Sequence, residues 1–226
     1  ASAHTMLPIG NFEPISCRPE RSQLANMKKG VQTAIIPPDL PPRQRILAAA
    51  RDLFAQHGIR AIGVEAIAET ALTNKMTLYR HFGSKDELVA AYLQSLADDG
   101  DARWTELTQA AHGDPQTQLD AWLAHVSEVV SDCGTRGCPI ANAAVELRDT
   151  DHPARRIIED YKNRKRERLI AMFRDVGYAD PESLADEVFL LFEGARISLQ
   201  CCAMPGPASR LVAMLRSLLA RHPRMV

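Results

Sequence analysis

From Pro42 onward, apolar residues return every three or four positions. Ile46, Leu47, Ala50, Leu53 and Phe54 form the first such stripe, the repeat of an amphipathic helix. Pro42 stands where a first helical turn tolerates proline, and Gly58 predicts the stop. Val64, Ile67, Ala68 and Ala71 make a second stripe. A break at Leu72-Thr73-Asn74 separates it from a third helix, Lys75–Phe82. Ser84 followed by Glu87 predicts a capping box that opens a fourth.

The same periodicity continues to the end of the chain. Asp114-Pro115 caps a helix carrying Leu119, Trp122, Leu123, Val126 and Val130. A loop at Gly134–Gly137 precedes a short helix over Pro139–Leu147. A long helix over Pro153–Val176 then stops at Gly177. Asp180-Pro181 opens another, with Leu184, Val188, Leu191, Phe192, Ala195 and Leu199 on one face. Pro205-Gly206-Pro207 breaks the pattern before a last helix with Leu211, Met214, Leu215, Leu218 and Leu219. No two-residue alternation occurs, so the expectation is an all-α fold of about nine helices without internal repeats. Residues 1–40 carry five prolines, Pro8, Pro14, Pro19, Pro37 and Pro38, with Pro41 just beyond, and predict a disordered or extended tail. Its Lys28-Lys29 pair is either solvated or an arm for DNA phosphates. The expected organisation is a tail at 1–40, a small helical domain at 41–90 and a larger one at 91–226.

Composition changes this picture little. The 226 residues are 46% hydrophobic and 24% charged, with a formal net charge of −1. That excludes a uniformly cationic protein but not a local basic patch. No apolar run approaches the ~20 residues of a membrane span. The first residues lack the charged and apolar regions of a secretory signal, so a cytoplasmic protein is expected. The five cysteines, Cys17, Cys133, Cys138, Cys201 and Cys202, are odd in number and contain no C-x-x-C. They predict reduced thiols rather than a disulfide framework or zinc ribbon. The seven histidines are scattered without ligand spacing, so no metal or other cofactor is expected.

Residues 42–90 carry the most informative chemistry. Two short helices separated by three residues form a helix-turn-helix candidate, whose second helix would enter the major groove of double-stranded DNA. Leu78 and Phe82 are spaced to anchor that helix inward. Lys75, Thr77, Tyr79 and Arg80 then point outward as donors to phosphates and base edges. Between Pro42 and Tyr92, seven basic residues face five acidic ones, a local excess of positive charge.

The run Arg45-Ile-Leu-Ala-Ala-Ala-Arg-Asp-Leu-Phe-Ala-Gln-His-Gly58, with Ile67-Ala68-Glu69 and Thr77-Leu-Tyr-Arg-His-Phe82, Lys85 and Leu88, resembles the DNA-binding domain of TetR-type transcriptional regulators. The match covers about fifty residues. The resemblance implies a homodimeric regulator, most often a repressor, bound to a palindromic operator and released by a small-molecule effector. It places Thr77, Tyr79 and Lys85 at phosphate-contact positions, and Lys75 and Met76 where base edges are read. Arg45 and Arg80 join the candidate DNA contacts. His81 is either a phosphate donor or a solvated rim residue. Two positions depart from the family pattern. Leu72 stands where glycine is common, and a left-handed backbone there costs about 1–2 kcal/mol. Gly63 replaces the usual Thr or Ser before the second helix, leaving only a backbone N–H.

In the remainder, Cys138, Asn142 and Glu146 recur at i, i+4 and i+8, on one face of a helix. The Gly-Cys-Pro…Asn…Glu pattern is similar to one in a subset of TetR-type regulators. These three either line an effector pocket, walled by Trp104, Trp122, Phe173, Phe189 and Phe192, or pack and bridge neighbouring helices. On the pocket reading, Glu146 favours a cationic or hydrogen-bond-donating group. Cys138 with Cys133 and Arg136 offers an alternative, a thiol-based redox-responsive regulator. An enzyme using Cys138 lacks an identifiable base, so the chain is not expected to be an enzyme. The basic run Arg155-Arg156 and Lys162–Arg168 predicts a solvated helix face.

Overall fold

The computed structural model describes residues 36–131, 137–202 and 210–225, the side chains of Cys201 and Cys202 excepted. Residues 1–35 of the expected tail, Cys133, Arg136 and the Pro205–Pro207 break lie outside the described residues. Within them the chain forms nine helices and no strand. They are α1 (Pro42–His57), α2 (Val64–Thr70), α3 (Lys75–Phe82), α4 (Lys85–Ala110) and α5 (Pro115–Ser131). Then come α6 (Pro139–Glu146), α7 (Ala154–Val176), α8 (Pro181–Cys202) and α9 (Leu211–Arg221).

The helices begin where the sequence offers an oxygen to the first unpaired N–H groups. The Asn74 side chain accepts from the Thr77 N–H at 2.9 Å and opens α3. Asp114 accepts from Thr117 at 2.7 Å and opens α5. Asp180 accepts from Ser183 at 3.1 Å and opens α8. The capping box expected at Ser84 is half formed. Ser84 Oγ accepts from Glu87 N–H at 3.0 Å, but the Ser84 N–H donates to the Phe82 carbonyl rather than to Glu87.

Two apolar clusters hold the helices together. The first joins α1, α2, α3 and the start of α4 through Ile46, Ile67, Leu78, Leu88 and Leu93. It extends beyond them to Cys138, Ile140 and Ala143 around α6, and to Ile158 on α7. The second joins α5, the end of α7, α8 and α9 through Leu119, Val126, Phe173, Leu184 and Leu215. Helix α4 runs unbroken through residue 90, so a continuous helix leads from the first cluster toward the second. Burying these side chains supplies the main drive to fold, at about 25 cal/mol per Å² of apolar surface.

Candidate nucleic-acid interface and charged interior

Helix α3 is too short to persist alone, and three devices hold it. Leu78 is fully buried and Phe82 nearly so, as their spacing predicts. Asn74 caps its start, a role the sequence pattern had assigned only to a break. The third device is the turn before it. Leu72 adopts the left-handed backbone with φ 51°, so the turn is preserved without glycine. The Leu72 N–H donates to Glu69 and the Thr73 N–H to Ala68, the paired bonds that close a helix through a left-handed residue. The Leu72 side chain is 66% exposed and contributes little packing to offset the backbone cost. Leu72→Gly is therefore expected to stabilise the protein by up to about 1 kcal/mol. Urea denaturation checks this, and a lower midpoint would contradict it.

Arg45 was expected among the DNA contacts, and the structure corrects that. Its guanidinium donates to the carbonyls of Ala71 (3.0 Å), Pro38 (2.8 Å), Leu40 (3.1 Å) and Leu72 (3.5 Å). It braces the turn rather than facing outward, because a planar fork of donors suits carbonyls gathered at a helix end. His81 is half-buried. It lines a recess with Arg43, Phe82, Glu87, Ala90 and Ile157, and its Nε2 is buried without a hydrogen-bond partner.

The remaining candidates lie on or beside the outer face of α3. Met76 is 79% exposed. Lys75 and Arg80 are exposed, and Thr77 and Tyr79 half-buried. Lys75 is paired with Glu65 of α2 at 2.6 Å, and its ammonium lies 5.8 Å from the centre of the Tyr79 ring. The hydrogen bond between Lys75 and Glu65 raises the lysine pKa and lowers that of the carboxyl. The Lys85 ammonium donates to the Ile59 carbonyl at 2.8 Å, and desolvation lowers its pKa. Of its three N–H donors, one is thus engaged inside the protein. Gly63 precedes α2 with no side-chain cap.

The residues expected around an effector separate into two places. Glu146 reaches away from the interior, to the loop after α1, where its Oε2 accepts from the Arg60 N–H at 3.0 Å. Its carboxylate thus ties α6 to that loop, which corrects its expected place in a pocket. Phe173 is fully buried edge-on against Tyr178 and Trp122 lies in the second core beside Phe192; both are packing residues. Asn142 is half-buried on α6. Cys138 is buried just before α6, which removes the access a redox sensor needs.

Trp104, Cys138 and Phe189 instead border a charged interior that the sequence reading missed. Lys162 donates to Glu193 at 2.5 Å and lies 3.7 Å from Cys138 Sγ. Lys165 lies 3.6 Å from the other Glu193 oxygen. Arg196 donates to the Gly137 carbonyl at 2.8 Å. Below them, Asp101 binds Arg164 at 3.2 Å and Arg168 at 2.7 Å. Desolvation pushes Lys165 down to about 8, against the opposing pull of Glu193. Burial alone would raise the Glu193 carboxyl, but Lys165 and Lys162 outweigh it and hold it below the usual range. Burial also raises Tyr161. The basic run on α7 is therefore split: Lys162 and Lys165 turn inward, while Arg156 stays in solvent. The signal was present: Lys162 and Lys165 share the heptad stripe of Ile158, Leu169 and Met172, all three buried.

Among the described residues there is no helix long and apolar enough to cross a membrane, and no group of side chains suited to a metal ion.

Comparison with known proteins places this geometry. The family described as "Bacterial regulatory proteins, tetR family" matches residues 46–92. The HTH-type transcriptional repressor Rv3405c of Mycobacterium tuberculosis is 41% identical over 96 residues, which cover 42% of this chain and 47% of that protein. The chain thus spans about half the length of the curated relatives it matches. Two solved structures extend the likeness along the chain. SCO4454, a TetR-family transcriptional regulator from Streptomyces coelicolor, superposes with a TM-score of 0.73 at 25% identity, over 79% of this chain and 94% of that one. A putative TetR transcriptional regulator (sav143) from Streptomyces avermitilis gives 0.72 at 29% identity, over 82% of this chain and all of the other.

Proposed function

Because the chain belongs to the TetR family of bacterial regulatory proteins, we propose that it is a homodimeric, ligand-responsive repressor that binds a palindromic operator in the cytoplasm. In this reading α1–α3 and the start of α4 read DNA, and the rest of the chain pairs with a second copy and senses an effector. The observation that carries it is the presentation of α3: Leu78 and Phe82 are buried while Lys75, Met76 and Arg80 stand exposed. Met76 and Lys75 read base edges, and Arg80, Tyr79 and Thr77 hold phosphates, with Lys85 adding its two remaining donors.

Selection of bound duplexes from a random pool, followed by anisotropy titration, tests the reading. The selected site is expected to be palindromic. Arg80→Ala should weaken binding to all sequences alike and flatten the salt dependence by about one unit of slope. Met76→Ala should change base preference at one position of each half-site. Absence of any enriched site would refute the reading.

Helices α8 and α9 support the dimer. Leu190 is 71% exposed, Met214 48% and Ile197 44%. Leu190 and Met214 line one groove with Leu191, Ala213 and Leu218, and an exposed apolar groove of this kind suits an isologous four-helix contact. Leu190→Glu combined with Met214→Glu should give monomers by light scattering at micromolar concentration, with weakened operator binding. A wild-type chain that is itself monomeric would sink the dimer.

A further inference from the structure

The charged interior identifies the class of effector. Resting on the ligand-responsive reading above, we propose that the effector is an organic acid, its carboxylate set between Lys165 and Arg196 and its apolar body toward the half-buried Phe189.

Among the described residues, Glu193 is ion-paired with both Lys162 and Lys165 and also feels the Arg196 guanidinium, while Asp101 is taken by Arg164 and Arg168. Glu193 spends its short contact on Lys162. Its other oxygen, Oε1, is buried and accepts no hydrogen bond, with the Lys165 ammonium 3.6 Å away. Lys165 keeps only 21% of its side-chain surface, and none of its contacts among the described residues is a hydrogen bond. A largely desolvated ammonium whose one carboxylate stands 3.6 Å away gains from a further anion that hydrogen-bonds to it directly.

The aromatic rings sharpen the choice. A site for a cationic effector would offer open ring faces. Here the protein's own cations already hold those faces. Lys165 lies 4.5 Å and Arg196 5.8 Å from the centre of Phe192, and Lys162 lies 5.8 Å from that of Phe189. A cationic effector would meet three like charges. Three cations meet one carboxylate, and the carbonyl that Arg196 serves carries no charge to offset the guanidinium. The ring beside them favours an acid with an apolar body over inorganic phosphate, which offers the ring nothing to pack. A site that binds a carboxylate also rejects the matching amide, whose N–H groups would point at an ammonium and a guanidinium.

The test uses the whole chain and matched probes: 2-naphthoate against 2-naphthamide and octanoate against octanamide, with inorganic phosphate as a third arm, each at about 10 mM. The acids should raise the melting temperature and the amides should not. Lys165→Met and Arg196→Met should each weaken acid binding by about tenfold or more, while leaving effector-free operator binding as in the wild type. Lys165→Met keeps the Lys162–Glu193 pair, so the fold is retained. Equal shifts from acids and amides, no shift from either acid, an equal shift from phosphate alone, or wild-type acid binding by Lys165→Met would each overturn the proposal. Acid binding that leaves DNA affinity unchanged would keep the site and remove the ligand-responsive reading, so the two fail separately.

Discussion

Leu78→Ala should lower the stability of the protein by about 3 kcal/mol and abolish operator binding at concentrations where the wild type is saturated. Leu78 is fully buried in the first core cluster, and truncating a leucine in such a site costs about 2–5 kcal/mol through lost burial and the cavity left behind. Two consequences follow, because α3 has only eight residues and depends on this anchor. The helix frays, so the exposed residues proposed to face DNA lose their fixed spacing. The loss of DNA affinity should therefore exceed what the drop in global stability predicts. Urea denaturation and anisotropy on the same sample check both. A variant that is destabilised yet binds the operator normally would show that α3 does not need its core anchor.

Gly58→Ala should be nearly as damaging, by about 2–4 kcal/mol. Gly58 has φ 83° and ψ 160°, a region open essentially to glycine alone, where another residue costs about 1–3 kcal/mol. A Cβ there would also lie 3.1 Å from the Glu146 carboxylate, so that group must shift against its bond to the Arg60 N–H. The double-mutant cycle with Glu146→Ala separates the two effects. The backbone strain should persist in the Glu146→Ala background, and the clash should not. Equal costs in both backgrounds would mean that Glu146 moves aside freely and does not brace the loop after α1. If the brace holds, Glu146→Ala should also alter how strongly an effector changes DNA affinity, since α6 touches both this loop and the Cys138 end of the charged interior.

How far the sequence reached depended on the range of the interactions involved. Each helix start and stop is a local matter of capping oxygens, prolines and glycines. The stripes around Ile46, Ile67, Leu119 and Leu184 were accordingly legible, as was the inward turn of Leu78 and Phe82. Leu72 was legible as a cost, and the tertiary structure decided that the chain bears it, with Arg45 bracing the turn from a distance in sequence.

Side chains whose partners lie on another helix were not legible in the same way. Arg45, Glu146 and His81 are polar residues at plausible positions, and sequence spacing alone sends them to DNA or to a ligand. Their actual partners, the Ala71 carbonyl, the Arg60 N–H and the recess beside Arg43, are brought near only when helices pack. The charged interior lay between these extremes. Lys162 and Lys165 break an apolar stripe, which marks them as turned inward, but the sequence could not say what they face. By itself the sequence determined the helices, their order and the presentation of a DNA-reading helix, because those follow from local periodicity and capping. Only the tertiary structure decided that Glu193 meets Lys162 and Lys165 with too little negative charge for the cations around it, because electrostatic balance depends on distances across helices that periodicity does not encode.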